Sequence, residues 1–152
     1  MVFTDVERDH LFGRLLGRLA TIDPDGTPQV RPLGFRLNAD GTIDLGGPWV
    51  ASTRRYRNVV ANPRVGFVVD DLTPDEPGEI EPGMGRGVEV RGRAEALSVD
   101  DPPGAPGMAG RDIIRVRPER IPSWHIDPEA PAGYSRKRGV TDTGESKNHT
   151  FG

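Results

Sequence analysis

The chain has 152 residues, which fits a single domain. It contains no cysteine, which excludes a disulfide framework and a thiolate zinc site, and its formal net charge of −3 argues against a general nucleic-acid binder. Charged residues close to the amino end, and the lack of an apolar run of the ~20 residues that span a bilayer, predict a cytoplasmic protein that does not enter a membrane.

A capping box and a leucine spacing predict a helix at the start of the chain. Thr4 and Glu7 are spaced so that each side chain can bond the other residue's free backbone N–H. Four leucines then recur at helical spacing, namely Leu11, Leu15, Leu16 and Leu19. We therefore expect one amphipathic helix over residues 5–18.

After this helix the apolar pattern changes to a period of two, which favours a β-meander. Residues 23–26 read Asp-Pro-Asp-Gly and residues 38–41 read Asn-Ala-Asp-Gly. Glycine supplies the positive φ that such tight turns require. We expect strands at 20–22, 29–37 and 43–45, joined by these turns.

A second, shorter helix is predicted over residues 53–61. Ser52 or Thr53 can serve as its N-cap, and Asn62 followed by Pro63 ends it. The other expected segments are an apolar strand buried on both faces at 65–69, an acidic loop at 71–86, a long strand at 88–97 that can bend at Gly92, an irregular stretch at 98–110, and strands at 113–117 and 121–126.

This order of elements predicts a mainly β protein, a closed antiparallel barrel with one or two helices on its rim. The 20 glycines and 15 prolines favour many short strands, and an apolar share of 34% favours stability gained from a partner subunit. We expect one domain over residues 1–139, followed by a polar, disordered tail over 140–152.

Conventional catalytic and metal-binding patterns are missing. His10, His125 and His149 have no second histidine or carboxylate at ligand spacing, so we expect no metal site. No serine lies in a Gly-x-Ser-x-Gly elbow, and the glycines at 83, 85 and 87 enter a strand, the wrong context for a dinucleotide motif. The catalytic residue and the proton donor stay unassigned.

Residues 52–58 place hydroxyls and arginines at the start of the second helix, shortly after Gly46 and Gly47. A helix start carries free N–H groups and a partial positive charge, and it therefore accepts phosphate. A guanidinium can add two parallel hydrogen bonds to phosphate oxygens. The same pattern also fits an exposed basic helix face, and spacing alone leaves both interpretations open.

Arg31 is a second candidate, because it lies within an otherwise apolar predicted strand. Alternation places it on one face with Gln29, Leu33 and Phe35. A face that mixes these residue types fits the wall of a ligand groove, and it also fits a strand that turns its charge to solvent.

Four segments, in this order, resemble pyridoxamine 5′-phosphate oxidase-like proteins. Residues 18–35 (RLATIDPDGTPQVRPLGF) look like the opening hairpin of that superfamily. Residues 53–59 (TRRYRNV), followed by 62–65 (NPRV), are similar to its phosphate-binding helix and the next strand. Residues 87–95 (GVEVRGRAE) and 121–124 (IPSW) resemble its next long strand and its closing strand.

Within that superfamily the chain most resembles the branch that uses the deazaflavin coenzyme F420. The resemblance implies a split β-barrel of the FMN-binding-protein type, a homodimer with two symmetric cofactor clefts, and hydride transfer between the reduced cofactor and an unsaturated small molecule. The cofactor-binding residues that it implies are Arg31, Pro32, Leu33, Gly46, Gly47, Ser52, Thr53, Arg54, Arg55 and Asn58, with Trp124 and Arg138 reaching in from the other subunit.

Two alternatives remain open at this point. The first is an FMN-dependent oxidoreductase with the same fold. The second is a non-catalytic protein that binds a flavin, F420 or haem. The sequence does not identify the substrate.

Overall fold

The computed structural model describes residues 2–104 and 110–137. In chain order these residues form α1 (Asp5–Phe12), β1 (Leu16–Ile22), β2 (Pro28–Gly34), β3 (Arg36–Leu37), β4 (Ile43–Leu45), a 3-10 turn (Val50–Ser52), α2 (Arg54–Ala61), β5 (Arg64–Leu72), β6 (Gly85–Ser98), β7 (Asp112–Trp124) and β8 (Tyr134–Lys137).

The described strands form a single curled antiparallel sheet. Its order is β2-β1-β5-β6-β7-β4-β3, and β8 pairs with β7. The two edge strands of that path, β2 and β3, are separated in the chain by Phe35 alone. Because one residue joins both ends of the sheet, the sheet must curl into a half-barrel. The expected mainly β architecture with two helices is confirmed, but the described strands pair as an open path and form a half-barrel where a closed barrel was expected.

The core fills the inside of the curl. Phe67 on β5 is fully buried and meets Phe35 edge-to-face, with ring centroids 5.4 Å apart. Asp44 on β4 is also fully buried, and its charge is matched by Arg115, whose Nε and Nη2 donate to it at 2.7 and 2.9 Å. Arg36 adds a third hydrogen bond at 3.2 Å. The one charge placed deep in the sheet is therefore paired, as burial requires.

Helix α1 begins as expected and ends earlier. Thr4 accepts from the Glu7 N–H at 3.2 Å, and Glu7 accepts from the Thr4 N–H at 3.0 Å, which confirms the capping box. The expectation of a helix over 5–18 is wrong, because α1 ends at Phe12 and Leu16 already belongs to β1. Leu15 is 87% exposed and Leu19 faces the core from a strand, so their helical spacing is coincidental.

Both predicted turns and the bend in the long strand are confirmed. Gly26 and Gly41 have φ values of 87° and 85° at the two turns. The β6–β7 register shifts between Arg91 and Gly92, which leaves Glu119 as an extra residue on β7. This bulge also accommodates Pro118, which could not sit in an unbroken central strand.

Other expectations need correction. The segments at 113–117 and 121–126 are parts of one strand, β7, because the bulge absorbs the residues between them. Strand β5 is not buried on both faces: Val65, Phe67 and Val69 face the core, while Val68 is half-exposed. Strand β8 was not predicted. The proposed tail at 140–152 lies outside the described residues.

Candidate functional site: a cationic cradle between a strand edge and a helix

The start of α2 is built by Thr53. The Thr53 hydroxyl accepts from the Tyr56 N–H at 3.3 Å and donates to the Val50 carbonyl at 2.6 Å. This confirms Thr53 as the N-cap and α2 as a helix within the predicted 53–61. The N–H groups of the first helical residues, Arg54 and Arg55, have no acceptor within the helix and remain available.

The helical turn separates the three arginines of α2. Arg54 points to the β1–β2 turn, with Nη1 at 3.4 Å from an Asp23 carboxylate oxygen. Arg57 folds back and donates to the Ser52 carbonyl at 2.8 Å. Both arginines therefore have partners on the exposed side of the helix. Arg55 is directed the other way.

Arg55 is half-buried, its Nε is buried without a hydrogen-bond partner, and Arg31 lies close enough for the two positive charges to interact. Burial and the positive charge of Arg31 both lower the pKa of Arg55 from its ordinary range. Within residues 2–104 and 110–137 no ion pair joins either arginine to an acidic side chain. Two neighbouring positive charges without a counter-charge lower the stability of the fold, and a bound anion would offset this repulsion.

Arg31 reaches this position from the inner face of the edge strand β2. Arg31 pairs with Leu19 of β1 and Leu33 pairs with Gly17, and both of these β1 residues face the core. The predicted grouping of Arg31 with Leu33 on one face is thus confirmed. Pro32 lies on the opposite face. Leu33 shares the face of Arg31 but is only 7% exposed, so it packs in the core while Arg31 stays exposed.

Asn58 fixes α2 against the β1–β2 hairpin. It is 2% exposed, and its Nδ2 donates to Asp23 at 2.8 Å, to Thr21 at 3.1 Å and to Gln29 at 3.4 Å. The structure therefore uses this amide inside the chain. These hydrogen bonds hold α2 against the β1–β2 hairpin and so fix the position of the helix.

We call Arg31, Ser52, Arg55 and the first N–H groups of α2 the cradle. The Ser52 hydroxyl is exposed and makes no hydrogen bond within the described part of the chain. The members of the cradle thus have hydrogen-bonding capacity that the described part of the chain leaves unused, whereas Thr53, Arg54 and Asn58 bond within the fold.

The connection from β4 to α2 forms the rim of the cradle. Gly47 has φ 138°, a conformation that side chains rarely adopt, and its open side meets no atom within 4 Å. Gly46 is covered instead, since an added Cβ would lie 3.0 Å from the Pro103 carbonyl oxygen. Trp49 follows with φ 59° and a 79% exposed side chain. The sequence analysis missed Trp49, although its place after two glycines and a proline was a usable signal.

Trp124 lies at the end of β7, away from the start of the connection that forms the rim. Leu45, which precedes Gly46, pairs with Ile114, and Trp124 lies ten residues further along β7. The Trp124 ring packs against Gly87, where an added Cβ would come within 2.9 Å of it. Arg138 lies outside the described residues.

No group of three His, Asp or Glu side chains lies close enough to hold a metal ion in residues 2–104 and 110–137. In the same residues no helix is long and apolar enough to cross a membrane.

The family model described as pyridoxamine 5′-phosphate oxidase matches residues 3–125. The chain belongs to this family. A reductase from Streptomyces rimosus, named for 5a,11a-dehydrotetracycline and 5a,11a-dehydrooxytetracycline, is 35% identical over 145 residues, or 95% of this chain and 98% of that protein.

Solved structures agree with the family assignment. An F420 reductase is 31% identical, with a TM-score of 0.51 over 70% of this chain and 88% of its own. A conserved hypothetical protein from Mycobacterium tuberculosis has a TM-score of 0.61 over 97% of this chain and 94% of its own. At 23% identity the latter likeness concerns the fold alone.

Proposed function

We propose that this protein is an F420-dependent reductase that acts as a homodimer and delivers hydride to an unsaturated small molecule. The observation that carries the proposal is the cradle, in which the half-buried Arg55 interacts electrostatically with Arg31 and neither arginine has an acidic partner among the described residues. The comparisons support the same chemistry. One relative of nearly equal length is a reductase of a dehydrotetracycline, and one solved relative is an F420 reductase.

The residues of the cradle fit the phosphate of such a cofactor. Arg55 offers an unused buried Nε, Arg31 adds charge, and the Ser52 hydroxyl and free helix N–H groups are hydrogen-bond donors. Bound F420 would supply the hydride chemistry. The protein's share is to fix the phosphate, to orient the rest of the molecule over the rim, and to exclude water.

A second subunit completes the proposed site. Apolar residues flank the Arg18–Asp70 ion pair on the outward side of β1, β2 and β5, and we call four of them the outer face: Leu16, Val30, Pro32 and Val68. Leu16 and Val30 are 61% and 57% exposed in the single chain. Burying such a patch against a second copy would stabilise both subunits. Trp124 and Arg138 are then proposed to reach the cradle of the partner, as the resemblance to the family implies.

The cradle recognises a phosphate and so does not by itself separate F420 from FMN. The experiment is a titration of the purified protein with F420, FMN and haem, followed by oxidation of reduced F420 with 5a,11a-dehydrotetracycline, the substrate named for the relative, as first acceptor. Saturable F420 binding and acceptor-dependent oxidation support the proposal. Tight FMN or haem binding without F420 binding contradicts it in favour of the corresponding alternative, and F420 binding without turnover of any unsaturated acceptor supports a carrier.

A further inference from the structure

Trp49 stands out among the apolar side chains of the described chain. It is 79% exposed, and its backbone adopts the left-handed conformation with φ 59° and ψ 27°. Its side chain makes no capping hydrogen bond at the 3-10 turn that it precedes. A large aromatic side chain thus points into solvent from an unfavourable backbone position.

Both properties work against stability. For a residue with a side chain, the left-handed region is disfavoured by the contact between Cβ and the backbone, and a bulky residue there is rare. Glycine at the same place would adopt this conformation freely. An exposed indole gains little from burial in the folded state. Packing against the described residues therefore gives no reason for tryptophan at this position.

The position of Trp49 relative to the cradle supplies a reason. Its carbonyl accepts from the Ser52 N–H at 2.9 Å, so Trp49 lies one short turn before Ser52 of the cradle. On its other side lies Gly47, whose open face meets no atom within 4 Å. In a flavin or deazaflavin the ring is joined to the phosphate by a ribityl chain, so a phosphate in the cradle leaves the ring within reach of adjacent segments only.

We propose that Trp49 is a cofactor-positioning residue whose indole stacks on the planar ring of the flavin or deazaflavin that the cradle holds. This inference rests on the proposed function. Stacking on an aromatic side chain suits any flat heterocycle, because it depends on the π-face rather than on particular hydrogen bonds. The cradle then selects the phosphate and Trp49 selects the ring.

A series of variants separates stacking from mere bulk. Trp49→Phe keeps an aromatic face, so F420 should bind within about threefold of the unaltered protein. Trp49→Leu keeps apolar volume and loses the face, so its dissociation constant should rise about 10- to 100-fold. Trp49→Gly should bind as weakly as Trp49→Leu while its melting temperature stays equal or rises, because glycine relieves the left-handed backbone. The control is Phe12→Ala, which removes another aromatic side chain, 66% exposed at the end of α1, and should leave binding unchanged.

A second ligand distinguishes the ring from the phosphate. The corresponding phosphate-free deazaflavin carries the same ring, and FMN and riboflavin form a second matched pair. Trp49→Leu should weaken the phosphate-bearing and phosphate-free members of a pair by the same factor. Arg55→Ala should weaken only the phosphate-bearing member.

Each outcome supports or overturns the stacking role of Trp49. Equal affinities of Trp49→Phe and Trp49→Leu, or unchanged affinity of Trp49→Gly, overturn the stacking role, and the cradle stands if Arg55→Ala still weakens F420 or FMN. A melting temperature that falls sharply in Trp49→Gly assigns Trp49 a structural role instead. If the unaltered protein binds none of these ligands, the proposed function fails and the role of Trp49 fails with it.

Discussion

Arg55 on α2 lies close enough to Arg31 on β2 for the positive charge of Arg31 to lower its pKa, and Arg55 is half-buried with its Nε unbonded. The fold thus places two like charges, from an edge strand and a helix start that are far apart in the chain, within electrostatic reach of each other. Such an arrangement is unfavourable for the cofactor-free fold and favourable for an anion. The hydrogen bonds of Asn58 hold the helix in place against this repulsion.

Asn58→Ala should lower the free energy of unfolding of the cofactor-free protein by about 1–3 kcal/mol, because it leaves the buried Thr21 hydroxyl and its neighbours without their donor. Denaturant unfolding measures this change. Val60→Ala on the exposed side of the same helix should shift stability by less than about 0.5 kcal/mol. Equal stability of both variants would mean that Asn58 does not anchor α2.

Gly92→Ala should destabilise the fold by about 1–3 kcal/mol, because the new Cβ would overlap the Arg117 carbonyl oxygen at the bulge, where backbone cannot move aside cheaply. Thermal unfolding provides the measurement. Gly66→Ala is the matched control in β5, since its Cβ would meet only the Ala20 Cβ at 3.9 Å. A tolerated Gly92→Ala would argue against the close approach of β6 and β7.

The pKa of Asp71 is lowered, first by the hydrogen bonds from Arg86 at 2.7 and 3.1 Å and then by the hydrogen bond and charge of Arg14. A carboxyl whose pKa is lower in the folded state than its ordinary 3.8 contributes stability above that pH, and the contribution is lost as the pH falls through the folded value. Asp71→Asn should therefore cost ~1 kcal/mol at neutral pH, and the difference from the unaltered protein should shrink below about pH 4. Chemical unfolding at several pH values tests this, and a difference that stays constant down to pH 3 would contradict it.

The outer face should carry the dimer. Leu16→Glu places a negative charge on that patch, where Leu16 is 61% exposed, and should shift the protein to monomers in sedimentation velocity. Val60→Glu alters a side chain of similar exposure, 67%, on α2 and should leave the dimer intact. A stable folded monomer of the unaltered protein at micromolar concentration would refute the proposed architecture.

Local signals in the sequence were sufficient for features whose cause is local. The Thr4–Glu7 box, the Thr53 cap, the turn glycines and the bend at Gly92 each arise from a few neighbouring residues. The end of α1 was missed because the leucine spacing mimics a helix while Leu19 packs from a strand.

The distribution of roles among the arginines depends on tertiary structure. Arg54 and Arg55 are adjacent in sequence, but one meets Asp23 and the other meets Arg31. Which arginine meets Asp23 and which meets Arg31 depends on how α2 packs on the β1–β2 hairpin. For the same reason the sequence did not show that Asn58 bonds the β1–β2 hairpin or that Pro32 lies on the face opposite Arg31.

The most direct test of the cradle is isothermal titration of F420 into Arg55→Ala and Arg64→Ala. Arg55→Ala should weaken binding by about 1.5–3 kcal/mol, on the order of tenfold to over a hundredfold, because it removes hydrogen bonds to a charged group. Its melting temperature without cofactor should stay level or rise, since a half-buried and unpaired charge is gone. Arg64→Ala, an exposed arginine just beyond the same helix, should bind like the unaltered protein. Equal affinities of the two variants would contradict the account and leave residues 52–58 as an ordinary basic surface.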